Sequence, residues 1–170
     1  MKALLAPLSL IVVALLLRST ALSALATRGV LLDVLAFATL VWAMARGEAG
    51  GASFGFALGL LADLDAAHWL GRHALVLALL GYAIGRLSHT LVRDSVRTQL
   101  VLLFLATLIH ETWALSFELG SVGSWPWQAV RVLLAAVATA PVGTLALAIA
   151  RWGSGQPLFG HAESQQGPSL

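Results

Sequence analysis

Residues 29–66 read GVLLDVLAFATLVWAMARGEAGGASFGFALGLLADLDA. Two apolar blocks, at 29–45 and 50–66, lie on either side of the polar break Arg46-Gly47-Glu48. A helix needs about 20 mainly apolar residues to cross the hydrocarbon core of a bilayer. Each block approaches that length, so this stretch predicts two membrane helices joined by a short connection.

The same pattern extends along the chain, with further apolar blocks at 3–22, 73–87, 98–119 and 128–150. Hydrophobic residues make up 59% of the sequence and charged residues 11%, and the mean hydropathy is +0.88. Soluble domains carry about 25% charged residues. The sequence therefore predicts an all-α, polytopic transmembrane helical bundle of about six helices at 1–152. A disordered cytoplasmic tail, rich in Gly, Ser, Gln and Pro, is predicted at 153–170.

The N-terminal block resembles a secretory signal peptide, because Lys2 precedes an apolar run. Arg18 interrupts the approach to a cleavage site, and further spans follow at once. We therefore interpret this block as the first membrane helix.

The basic residues give an orientation. The net charge is +2, but the basic residues stand singly at block edges, so no basic stripe for nucleic acid is present. Cytoplasmic loops of membrane proteins carry the excess of Lys and Arg. With six spans, one side collects Lys2, Arg46, Arg86, Arg93, Arg97 and Arg151, and the other collects Arg18, Arg28, Arg72 and Arg131. This asymmetry favours both termini in the cytoplasm, in a multi-pass inner-membrane protein.

A row of glycines is the clearest packing signal. Gly51, Gly55 and Gly59 follow Gly47 at intervals of four, and Asp63 continues the row. Gly81 and Gly85 repeat the spacing in the next block. Small residues on one helix face allow membrane helices to approach closely. The row indicates either packing within this chain or a docking face for another protein's helix.

Ionisable residues occur inside the predicted spans. By a rise of about 1.5 Å per residue, Asp33 lies about 8 Å below the outer surface and Asp63 about 20 Å across the membrane. His110 and Glu111 also reach mid-depth or beyond, and Arg18, Arg28, Arg72, Arg131, His68 and His73 belong to the same side. Buried charges in a bilayer usually face protein or a water-filled cavity. We expect a polar cluster in the outer half, serving as internal ion pairs or as a cavity for a ligand or partner segment.

Sequence motifs for catalysis are lacking. The chain has no cysteine, and His110-Glu111 is not a zinc HExxH motif because position 114 is alanine. It contains no P-loop or dinucleotide motif. GASFG at 51–55 lies within the apolar block at 50–66, which is predicted to be a helix, so its serine is not at the strand-to-helix elbow of a GxSxG nucleophile. We predict a non-enzyme with no catalytic, cofactor or metal site.

Several of these features occur together in a known order. They are Asp33, then Arg46-Gly47, then GFALGLLAD at 55–63, LGRHAL at 70–75, Gly81-Tyr82, and His110-Glu111. In this order, residues 33–85 in particular resemble the MreD family of integral-membrane rod shape-determining proteins. The chain departs from the family pattern at Leu32, where a proline is usual, and at 65–68, where DAAH replaces a commoner turn.

This resemblance implies a non-enzymatic subunit of the bacterial cell-elongation (rod) complex. Such proteins bind the bitopic periplasmic protein MreC. Through it they reach the MreB filament and the RodA–transpeptidase synthase of peptidoglycan. Partner-binding or structural candidates are Asp33, Gly51, Gly55, Gly59, Asp63, Gly71, Arg72, His73, Gly81, Gly85 and Glu111.

Among these candidates, Asp63 and Arg72 are expected to shape the outward-facing surface. An alternative function follows from a more distant similarity to the substrate-binding membrane subunits of energy-coupling-factor transporters. This alternative is a small-molecule (vitamin-like) binding subunit, and a generic membrane assembly factor is a further possibility.

Overall fold

The structure is a computed structural model that describes residues 2–22, 31–66, 70–90, 95–117 and 125–154. Within these ranges every regular element is helical. The α-helices are α1 (Lys2–Leu17), α2 (Val34–Ala66), α3 (Arg72–Leu87), α4 (Val96–Ser116) and α5 (Trp125–Ser154), and α1 continues into a π-helix at Arg18–Leu22. The predicted all-α class is confirmed for the described residues, whereas the predicted tail at 153–170 lies almost wholly outside them.

Helix α2 covers most of both apolar blocks of residues 29–66, and a break at Gly47 divides it. Gly47 has φ 76° and ψ −168°, outside the helical region. The rings of Trp42 and Phe54 stack with centroids 5.0 Å apart, although twelve residues of straight helix would separate them by about 18 Å. The chain therefore reverses at Gly47, and α2 is a hairpin of two helical arms, 34–46 and 48–66. Because the structure has five α-helices, the predicted count of six is not confirmed.

Among the described helices, α2 and α3 have the most extensive packing. A Cβ atom at Gly51 would collide with the carbonyl oxygen of Gly81, and a Cβ at Gly81 would collide with that of Gly51. At Gly59 an added Cβ would lie 2.5 Å from the Cα of Ala74. The glycine row thus packs within this chain, in the interface between α2 and α3, where it brings the two helix backbones into contact.

The outer surface is apolar along every helix. Examples of exposed large hydrophobic residues are Leu8, Phe56, Leu79, Val101 and Leu145, one from each helix in chain order. Soluble monomers rarely expose extended apolar surface. By length and composition, the spans Val96–Ser116 and Pro126–Gly153 are each able to cross a membrane, and a shorter apolar helix covers Leu5–Thr20.

The reversal at Gly47 provides a first test of the fold. Positive φ with ψ near 180° is a region that only glycine occupies readily. We expect Gly47→Ala to lower the free energy of unfolding by about 1–3 kcal/mol, measured by denaturant titration in detergent micelles. Gly153→Ala is the control, because an added Cβ there meets nothing within 4 Å. Equal stability of the two variants would contradict the assigned backbone.

Candidate functional site

Asp33 immediately precedes the first arm of α2. Its Oδ1 accepts a hydrogen bond from the backbone N–H of Ala36 at 3.0 Å, which is the geometry of a helix N-cap. Its own backbone N–H donates to the hydroxyl of Thr139 at 2.9 Å. Thr139 belongs to α5, so this aspartate joins the start of α2 to a distant helix.

The second carboxylate oxygen of Asp33 contacts α4. Oδ2 lies 2.6 Å from Nδ1 of His110, and both residues are buried. An ionised carboxylate can only accept hydrogen bonds, so Nδ1 carries the proton. Both oxygens of Asp33 are therefore engaged, and the pair connects α2 to α4.

Asp63 caps the start of α3 from across the α2–α3 interface. Gly71, the residue before α3, has φ 98° and provides no side chain for a cap. Oδ2 of Asp63 accepts from the backbone N–H of Gly71 at 2.9 Å and of Ala74 at 3.2 Å. Oδ1 lies 2.7 Å from Nδ1 of His73, whose backbone N–H at 3.2 Å is shared by both oxygens. One carboxylate thus satisfies donors that the first turn of a helix leaves unpaired.

The two aspartate–histidine pairs lie side by side. The rings of His73 and His110 have centroids 5.3 Å apart at an interplanar angle of 57°. We call Asp63, His73, His110 and Asp33 the Asp–His row. Its members are at most 5% exposed. The row connects both arms of α2 to α3 and α4, so it holds one end of the bundle together.

A cavity of about 200 Å³ opens beside the Asp–His row, and we call it the arginine cavity. Its polar lining residues are Arg18, Asp33, Arg72, His73, His110, Glu111, Gln128 and Arg131, and its apolar ones are Leu31, Leu32, Val34, Leu35, Ala114, Leu115 and Val132. Arg18 lies in the π-helix that follows α1, and Arg131 in α5. Residues from the π-helix and from α2, α3, α4 and α5 therefore converge on it.

Two buried nitrogen atoms at this cavity lack a hydrogen-bond partner within the described part of the chain. They are Nη1 of Arg18 and Nε2 of His110. Buried polar groups are nearly always hydrogen-bonded in native proteins. Unsatisfied donors or acceptors at a cavity wall are therefore positions at which a ligand or ordered water can bind.

The cavity wall also has a geometry that a metal ion could use. One ligand atom each from Asp33, His110 and Glu111 lie within 4.8 Å of one another. The carboxylate of Asp33 already accepts two hydrogen bonds, and three arginines line the same cavity. Repulsion from the guanidinium groups opposes a cation there. The arrangement favours an anion.

The structure brings many of the sequence-derived candidates together. Asp33, Arg72, His73 and Glu111 line the cavity, whereas Asp63 reaches it only through His73. Asp63 was expected to shape the outward-facing surface, but it is 0% exposed, because it caps a helix inside the bundle. Gly51, Gly55, Gly59, Gly81 and Gly85 lie in the α2–α3 interface, and Gly71 precedes α3. His68 and Arg28, also expected in the cluster, lie outside the described residues.

Sequence reasoning did not identify Thr139 or Gln128, both of which are buried polar residues of α5. Each stands as an isolated polar residue in an apolar helix. A single polar residue in an apolar helix is a signal that the side chain is buried against protein, but it does not indicate which residue that side chain contacts.

Comparison with known proteins supplies the family. The model for the rod shape-determining protein MreD matches residues 1–126 of the 170-residue chain. No curated protein and no solved structure gives a significant match. The matched range includes the whole Asp–His row, the glycine row and three of the residues that give the arginine cavity its charge, Arg18, Arg72 and Glu111. This chain therefore belongs to the MreD family of rod shape-determining membrane proteins.

Proposed function

We propose that this chain is a non-enzymatic, multi-pass subunit of the rod complex in the bacterial inner membrane. In this role it binds an MreC-type bitopic periplasmic protein. Through that protein it links the MreB filament to peptidoglycan synthesis by the RodA–transpeptidase pair. The match to the MreD family over residues 1–126 is the observation that carries the proposal.

A six-span arrangement with both termini in the cytoplasm is part of this proposal. The reversal of α2 at Gly47 supports it, because the two arms run in opposite directions and each can form its own crossing. Arg46 and Glu48 flank the reversal and suit a short connection at a membrane surface. The Asp–His row and the arginine cavity then lie towards the periplasm.

The bonding of the Asp–His row supports a structural role. The histidine Nδ1 atoms contact carboxylates that also accept backbone N–H groups, as expected for pairs that hold helices in register.

Co-purification tests the partner assignment. Affinity-tagged chain, co-expressed with the MreC-type protein of its own source, is expected to elute with that protein at a constant ratio in detergent and in nanodiscs. A bitopic membrane protein of unrelated function serves as the control bait. Failure of a monodisperse, folded chain to retain the MreC-type protein in both environments would contradict the proposal.

The second candidate, a small-molecule-binding transporter subunit, would need the arginine cavity as its ligand site. Pockets for drug-sized ligands have volumes of about 300–1,000 Å³, and the arginine cavity has about 200 Å³. A vitamin-sized molecule is therefore a poor fit. Under this alternative, purified protein would retain a small molecule stoichiometrically and a vitamin would raise its melting temperature; absence of both effects counts against it.

A further inference from the structure

We propose that the arginine cavity and an adjoining apolar groove together bind one membrane lipid with an anionic phosphate head group. The phosphate would lie in the arginine cavity, and the first part of an acyl chain would lie in the groove. This site goes beyond the rod-complex role, which assigns no ligand to the cavity.

Charge is the first argument. Three arginines and two carboxylates line the cavity, so positive charge exceeds negative charge even before the histidines are considered. Both oxygens of Asp33 are already hydrogen-bonded, which reduces its capacity to pair with a guanidinium. Guanidinium groups bind phosphate oxygens with well-matched geometry. An anion of this class would balance the lining.

The unsatisfied nitrogens are the second argument. Nη1 of Arg18 and Nε2 of His110 have no hydrogen-bond partner in the described part of the chain. His110 is only 4% exposed, so bulk water cannot freely solvate its ring. A phosphate oxygen can accept a hydrogen bond from either nitrogen when that nitrogen carries a proton. The Asp33 contact at Nδ1 fixes the ring so that Nε2 remains available.

The apolar groove is the third argument, because it distinguishes a lipid from a free phosphate. It has a volume of about 100 Å³, lies between α2 and α5, and shares Leu32, Asp33 and Val34 with the arginine cavity. Its remaining walls are Phe37, Thr139, Val142, Gly143 and Ala146. A polar, basic cavity that adjoins an apolar groove, with three lining residues in common, matches a molecule with an anionic head and a hydrocarbon chain.

Retention of lipid by the full chain tests the site. Protein is reconstituted into nanodiscs of equal parts dioleoylphosphatidylcholine and dioleoylphosphatidylglycerol, extracted into mild detergent, and analysed by native mass spectrometry. We expect one retained phosphatidylglycerol per chain. Arg18→Gln and Arg131→Gln are each expected to lower its apparent affinity about tenfold, the factor that corresponds to about 1.4 kcal/mol.

One further variant tests the groove for the acyl chain, and another is the control for the arginine changes. Ala146→Phe fills the groove without altering any charge, and we expect it to lower phosphatidylglycerol retention about tenfold. Arg86→Gln is the matched control and is expected to leave retention unchanged. It is an exposed arginine of α3 bonded to Tyr82, about 21 Å along the helix from Arg72 at about 1.5 Å per residue.

Three results would overturn the proposal. The first concerns lipid selectivity: the chain retains phosphatidylcholine and phosphatidylglycerol equally, or Arg86→Gln lowers phosphatidylglycerol retention as much as Arg131→Gln does. The second is stabilisation of the folded protein by inorganic phosphate alone. If Arg18→Gln removes that stabilisation and Ala146→Phe does not, the site binds free phosphate. The third is stabilisation by Zn²⁺ that Glu111→Gln removes, which would indicate a cation site. Circular dichroism of each variant verifies that the helices are intact. Arg131→Gln changes an exposed side chain that does not contribute to the core, so this variant is expected to fold.

Discussion

Gly55→Leu is expected to abolish the native pairing of α2 with α3. A Cβ atom at Gly55 would collide with the carbonyl oxygen of Leu77 and lie 2.6 Å from its carbonyl carbon. Both atoms belong to the backbone, so no rotamer change can relieve the collision and the helices must separate. Even Gly55→Ala is expected to lower the free energy of unfolding by about 3 kcal/mol, the upper part of the range for overpacking, and leucine by more.

Stability in detergent measures this effect, through the midpoint of unfolding on titration with dodecyl sulfate and the fraction of monodisperse protein after purification. Gly153→Ala and Gly153→Leu are the matched controls, since a Cβ at Gly153 meets nothing within 4 Å. The same variants also decide between the two interpretations of the glycine row. If Gly55→Leu were as stable as Gly153→Leu yet failed to bind the MreC-type protein, the row would be a docking face and the internal packing described above would be wrong.

The helices could be predicted from the sequence where hydropathy and chain breaks coincide. The block at 73–87 became Arg72–Leu87, and the block at 128–150 became Trp125–Ser154. The sequence predicted two helices at 29–45 and 50–66 joined by a short connection, and the two arms of α2 agree with that prediction. It did not predict that a single non-helical residue, Gly47, would make the reversal. The break at Arg46-Gly47-Glu48 was visible, but the reversal requires the backbone of Gly47 in a conformation that composition does not specify.

The sequence predicted which residues belong to the candidate site, but not which hydrogen bonds they form. Hydropathy identifies a carboxylate within an apolar block, because such a group is costly in a bilayer. Asp33 and Asp63 were expected in a polar cluster with His73 and His110, serving as internal ion pairs or as a cavity. That expectation did not assign the partner of each carboxylate, which is one histidine together with backbone N–H groups. These contacts join residues 10 and 77 positions apart, and the spacing of residues in one sequence does not determine which distant helices meet.

Asp63→Ala is expected to destabilise the bundle nearly as strongly as a change in the glycine row. The backbone N–H groups of Gly71, His73 and Ala74 all donate to this one carboxylate, and Nδ1 of His73 lies 2.7 Å from it. A buried donor left without an acceptor costs about 1–3 kcal/mol. We therefore expect a loss of about 4 kcal/mol or more in the free energy of unfolding. Asp63→Asn retains one acceptor oxygen, and we expect it to lose about half as much.

Asp65→Asn is the matched control, because Asp65 lies two residues further along the same helix and is exposed; its effect should stay within about 0.5 kcal/mol. The double variant Asp63→Asn/His73→Ala then isolates the contact between the two side chains. If Asp63 both caps α3 and orients His73, the double variant should lose at least about 1 kcal/mol less than the sum of the single variants, since residues in one hydrogen-bond network are coupled. Strict additivity, together with Asp63→Asn no less stable than Asp65→Asn, would show that the carboxylate does not hold the start of α3. In that case the Asp–His row could not be what fixes α2 against α3 at the end of the bundle where the arginine cavity lies.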